Sequence, residues 1–130
     1  MANSAGYHES EDKLRPETQD NHRALTSMQE ELEAADWYDQ RIDAATDPEL
    51  REILAHNRDE EKEHFVMLLE WYRRRDAKMS AELKKRLLTS GAIVALEQAD
   101  QGAGGDGDAP ASHGGTGSLG IGSLRGGQSL

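Results

Sequence analysis

Glu31 and the run Glu61-Lys62-Glu63-His64 carry the side chains best suited to chemistry, and Glu31 and Glu61 are equidistant from Thr46 in the chain. If the segments on either side of Thr46 are helices folded back antiparallel, Glu31 and Glu61 stand at one height. The i, i+3 spacing of Glu61 and His64 puts both on one helix face, where they converge on neighbouring coordination positions. One Glu on a helix and Glu-x-x-His on its neighbour make half of a carboxylate-bridged di-metal site in a helical bundle. A full site needs two such halves, and the sequence offers one. Two copies of the chain are therefore expected to build the centre between them. Two Glu31, two Glu61 and two His64 would set four carboxylates against two divalent cations, which is charge-neutral. Imidazole and oxygen donors without sulfur suit iron, manganese or zinc and disfavour copper(I).

The elements that must position these groups are legible on either side. From Pro16 to Ala44 there is no interior glycine or proline, and Leu25, Met28, Leu32, Ala35 and Ile42 recur at helical spacing. Thr46-Asp47-Pro48-Glu49 reads as a helix start, with a capping side chain, an early proline and an acid in the first turn. A second helix is expected from Pro48 to about Arg75, with Leu50, Leu54, Asn57, Glu61, His64, Leu68 and Trp71 as its stripe. Nearly matched lengths and a short link predict an antiparallel two-helix hairpin. A shorter helical stretch is expected to open at Ser80, with Gly91 interrupting it and Ala92 to Ala99 resuming it.

With Glu61 at zero on a helical wheel, His64 lies at about -60°, Leu54 at about +20°, and Leu50 and Leu68 near about -20°. Both polar residues fall inside the apolar stripe. Glu31 lies about 60° from Met28, flanked on the same side by Tyr38 and Ile42. A carboxylate on a face that must be buried needs a partner. Two solutions are open: a metal pair, or a salt-bridge network through Arg58, the one cation on that face near that height. His8, His22, His56 and His113 have no acidic partner at ligand spacing on this stripe and read as surface residues.

Composition bounds the class. At 130 residues with 35% hydrophobic and 31% charged side chains, the chain allows one domain that is helical, well solvated and short of core. Two helices bury too little apolar surface to stand alone, so self-association is expected. The net charge of -10 argues against nucleic acid, whose phosphates demand a basic surface, and suits a protein that attracts cations. There is no cysteine for disulfides, thiolate sites or thiol catalysis. No apolar run is long enough for a membrane span. The N-terminal MANSAGYHESEDK is polar where a signal peptide needs an apolar core, so a soluble cytoplasmic protein is expected.

The stretch QEELEAADWYDQRIDAATDPELREILAHNRDEEKEHFVMLLEWYRRRDAK resembles the encapsulated ferritins, the two-helix cargo of encapsulin nanocompartments, and the likeness spans roughly residues 8 to 99. The resemblance implies an all-α, ferritin-like fold: the hairpin plus a short C-terminal helix, its four-helix bundle completed by dimerisation. It implies Glu31, Glu61 and His64 as ligands of a di-iron ferroxidase centre, with dioxygen as co-substrate, in dimers arranged as a ring of five. By position it also implies that Glu30 and Glu33 form a site where metal enters, and that Trp37 and Tyr38 stand just behind the centre. Read from the residues alone, Glu30, Glu33 and Trp37 also fit a solvated acidic face. Tyr38 fits either core packing or a hydrogen bond to a ligand.

The expected organisation is a disordered segment 1–12, a helical domain 13–99, a flexible linker 100–116 and a targeting segment 117–130. Apart from Gly6 and Gly91, every glycine lies from Gly102 onward, a composition that cannot bury enough surface to order itself. Leu119, Ile121 and Leu124, spaced by small residues, suit an extended peptide docking into shallow apolar pockets. Gly117 to Arg125 resembles the encapsulin cargo-loading peptide, which implies the shell protein as partner and the shell lumen, in a bacterial or archaeal cytoplasm, as location. The expectation is iron(II) oxidation for storage inside that shell. Its rivals are an assembly module stapled by structural metal, and a manganese or mixed-metal oxidase.

Overall fold

The computed structural model of the chain describes residues 6–104. It shows a 3-10 turn at Glu11–Lys13 and four helices: α1 Pro16–Ala44, α2 Pro48–Arg73, α3 Ala77–Arg86 and α4 Ile93–Gly104. No strand occurs among the described residues. None of their helices is long and apolar enough to cross a membrane. Residues 1–5, the expected linker beyond Gly104, His113 and the expected targeting segment with Leu119, Ile121 and Leu124 lie outside the described residues.

The chain divides into two compact units between Arg75 and Asp76. In the first, α1 starts at Pro16, whose missing N–H costs nothing in a first turn. No side chain caps it; instead the Gln19 amide donates back to the carbonyls of Leu14 (3.3 Å) and Glu11 (3.4 Å), tying down the 3-10 turn. The Tyr7 ring lies 4.8 Å from that of His22, so the N-terminal stretch has contacts from Tyr7 onward and His22 is half-buried. The helix ends where Ala45 turns extended. Asp47 accepts the Leu50 N–H at 2.9 Å and caps α2, with Pro48 at its first position. This short link returns α2 antiparallel along α1, the only described pair of helices in extensive contact. The expected continuation to Arg75 stops two residues early. Arg75 N–H bonds the Tyr72 carbonyl at 3.0 Å, the tightened last turn of a helix about to end.

The hairpin is short of core. Among the described residues only Ala24, Met28 and Ala35, all on α1, are buried in the single chain. Leu32, Ile53, Val66 and Met67 are each more than half exposed, and Leu50, expected in the buried stripe, is exposed as well. Covering such a side chain is worth about 1.5–3 kcal/mol, which two helices alone leave unrealised.

In the second unit Asp76, not Ser80, starts the helix, its carboxylate accepting the Met79 N–H at 2.7 Å. The chain leaves α3 at Leu87, passes through Leu88 at φ 58° and Gly91 at φ 103°, and re-enters a helix at Ile93. A side chain is strained at φ near 103°, which accounts for the glycine. Asp100 on α4 pairs with Arg86 at 3.3 Å and Lys85 at 3.6 Å. The helix runs to Gly104, past the point where composition alone places the start of the linker.

Candidate metal centre

Residues 31 and 61 meet at one level of the hairpin because the Asp47 cap sets the register of α2 against α1. Glu31, Glu61 and His64 can each turn a ligand atom so that all lie within 4.8 Å of one another. His64 Nδ1 is 3.3 Å from Glu61 Oε1, across one helical turn, and 3.6 Å from Glu31 Oε1, across the helix pair. The two carboxyls are mostly shielded, at 23% exposed, while the imidazole is 47% exposed and faces outward from the hairpin. It is the one cluster of this kind among the described residues.

The electrostatics are those of crowded acids with too little positive charge. The Glu31 carboxyl donates a hydrogen bond to Glu61, which raises it above its ordinary value; burial raises it further, and only His64 pulls it down. The same hydrogen bond from the other side lowers Glu61, with His64 adding to the effect against burial. Two carboxyls joined by a hydrogen bond hold a proton between them, so the opposed directions describe one pair with one proton. The hydrogen bond to Glu61 and the negative charge of the carboxyl pair raise His64 against burial.

The salt-bridge alternative does not form. Arg58 donates to Asp39 at 2.9 Å and to its neighbour Asp59 at 3.0 Å, which leaves the cluster without a Lys or Arg partner among the described ion pairs. Such a set lacks a cation, and its oxygen and imidazole donors are those a divalent metal accepts.

The other expected residues fall elsewhere. Glu30 and Glu33 are exposed on α1, outside the converging set. Trp37 is exposed, and the Arg41 guanidinium lies 6.0 Å from its ring and 5.4 Å from that of Tyr38. Tyr38 is half-buried beneath that cation, with no hydrogen bond to Glu31 in the single chain. His56, read as a surface histidine, is exposed and pairs with Glu60 at 3.0 Å, at i, i+4 spacing. A groove of about 720 Å³ beside the cluster is lined by Glu31 and His64 together with Ala24, Met67, Leu68 and Trp71. Met67 was legible only as the residue one turn beyond His64.

A family model described as EncFtn-like matches residues 6–90. The chain is 58% identical over 130 residues to the Encapsulated ferritin-like protein of Rhodospirillum rubrum, covering 97% of this chain and 93% of that one. It is 35% identical over 89 residues to the Encapsulin nanocompartment cargo protein EncC of Myxococcus xanthus, covering 65% and 66% of the two chains. Among solved structures it is similar to protein ne0167 from Nitrosomonas europaea, at a TM-score of 0.66 and 57% identity, over 68% of this chain and 97% of that one.

Proposed function

The chain belongs to the EncFtn-like family and has its ferritin-like helical fold, and on that footing we propose that it oxidises iron(II) with dioxygen at a centre completed by a second copy of itself. One observation carries the reading: Glu31, Glu61 and His64 converge with no Lys or Arg among the described residues to balance them. The donor set fits iron(II), which enters as substrate, and also fits zinc or manganese. Glu31 and Glu61 would hold and bridge the metal ions, giving up their shared proton to do so, and His64 would complete each coordination sphere through its exposed ring. A bound cation would take the place of that proton between the two carboxylates. The half-exposed apolar residues around the cluster supply the surface on which a second copy would settle. A ring of five such dimers is the arrangement proposed for the whole.

The glycine-rich segment and Leu119, Ile121 and Leu124 are proposed as a tether and address for an encapsulin shell, in keeping with the name of the Myxococcus relative. The two roles separate experimentally. Purified protein given iron(II) should form iron(III) faster than protein-free buffer, and only when air is admitted. Zinc-like behaviour, with tight binding and no oxygen-dependent ferric signal, would instead leave the metal as structural glue. Removing residues 117–130 should leave iron oxidation intact and abolish co-purification with shell protein. Normal loading of the truncated chain would deny the tail its role.

A further inference from the structure

On the metal centre proposed above, we infer that Arg58 is a positioning residue for it: by tying α2 to Asp39 on α1, it holds α2 at the roll that turns Glu61 and His64 toward Glu31. Arg58 stands one turn before Glu61, and its Nη1 donates to Asp39 Oδ1 at 2.9 Å. His64 meets Glu31 at 3.6 Å. These two cross-helix pairs lie on opposite edges of the seam between the helices. With Glu31 at zero on the α1 wheel, the buried Ala24, Ala35 and Met28 fall at about 20°, 40° and 60°, and Asp39 at about 80°. On α2, with Glu61 at zero, His64 falls at about -60° and Arg58 at about +60°.

Rolling α2 about its own axis in either direction therefore draws one of these edges away from α1. Packing in the seam resists that motion weakly, since two of the three buried residues are alanines. The Arg58 guanidinium is anchored from both sides, by Asp39 across the seam and by Asp59 on its own helix at 3.0 Å. Groups that touch no metal can still set the orientation of those that do. The tie lies within one chain, so each copy brings its own to the shared centre. Charge alone argues the other way: a cation beside carboxylates opposes a metal ion, so its removal would tighten metal binding. On the positioning role, removal loosens it.

Cobalt(II) titrations of the full chain, read by visible absorption, test this in wild type, Arg58→Ala, Asp39→Asn, the double variant, Arg58→Lys and Asp59→Asn. Thermal melts are read for each. Arg58→Ala and Asp39→Asn should each weaken cobalt(II) binding by about 3- to 10-fold and alter the band shape at saturation. The double variant should be no weaker than the worse single one, because both changes break one tie. Arg58→Lys keeps a cation for Asp39 and should recover most of the affinity. Asp59→Asn removes only the partner on the same helix and should match wild type. Should Arg58→Ala not fold, Arg58→Gln takes its place. An Arg58 variant without the charge that binds cobalt(II) as tightly as wild type or more tightly, whatever its melting midpoint, would overturn the inference. Additive losses in the double variant would overturn it too, and both results leave the metal centre standing. A wild-type chain that binds no cobalt(II) would overturn the metal-centre reading and this inference with it.

Discussion

Glu70 and Glu31 are both carboxylates of one hairpin, and their surroundings answer them in opposite ways. Glu70 receives two hydrogen bonds of 2.7 Å from Arg73 and one of 2.8 Å from Arg74. Those guanidiniums hold its carboxyl well below the usual range, at about 2. Glu31 meets Glu61 and His64 instead, and its carboxyl is raised. Where the sequence places cations at i+3 and i+4, the helix closes its own ion pair and nothing further is needed. Where it places another carboxyl and an imidazole across the hairpin, no such pair closes, and on the proposed reading a cation from outside completes the set. The first arrangement belongs to the fold and, on that reading, the second to a ligand.

The largest effect should come from breaking the second arrangement. Glu31→Ala, Glu61→Ala or His64→Ala should each cut oxygen-dependent iron oxidation by at least about 100-fold, since even residues that only orient a metal's ligands cost about 10–100-fold in metal affinity or activity. The helices should persist, because the carboxyl changes relieve crowded charge and His64 is half exposed, and circular dichroism checks that. Near-full activity in Glu61→Ala would remove the cluster from the chemistry.

The pH dependence of stability should run in opposite directions at Glu70 and at the raised groups Glu31 and His64, while the lowered Glu61 follows Glu70. Glu70 is lowered from 4.5 to about 2, so its contribution is present above 4.5 and is lost as pH falls towards 2. Glu31 is raised above 4.5, so the metal-free hairpin loses stability as pH rises from 4.5 through its folded value. His64 is raised above 6.5; its contribution is full below 6.5 and is lost as pH rises through the folded value. Iron(II) needs these ligands deprotonated, so its stabilisation should grow over the same rise. Thermal melts with and without anaerobic iron(II) across this range check it: the metal-free midpoint should fall as the iron-induced gain increases.

The smallest effect should come from the closed ion pair. Glu70 is 41% exposed, so solvent screens most of what its lowered pKa suggests, and Glu70→Gln should cost about 0.2–1 kcal/mol. Iron oxidation should be unchanged, as read by the same ferric assay.

The hairpin and its cluster were legible because local signals agree. Asp47 and Pro48 mark the turn, the helices on either side lack interior glycine, and the Glu61 to His64 spacing lies within one turn. The α3 boundary was not: a start at Ser80 was expected, and the Asp76 carboxylate that takes the Met79 N–H lies just past the expected end of α2 near Arg75. The wheel placed Glu31 and Glu61 on the apolar face but could not show how little of that face two helices cover. Arg58 shared their height in the sequence, yet its side chain reaches Asp39 and Asp59, a choice of direction that spacing does not encode.

Native mass spectrometry during an anaerobic iron(II) titration tests most directly the claim that each chain holds half a centre. Metal binding and association are then one linked equilibrium. The predicted result is that iron appears on paired chains and their multiples at two ions per pair, that iron shifts the population towards them, and that Glu31→Ala abolishes the shift. Iron held as tightly by single chains, or an oligomer distribution indifferent to iron and chelator alike, would contradict it.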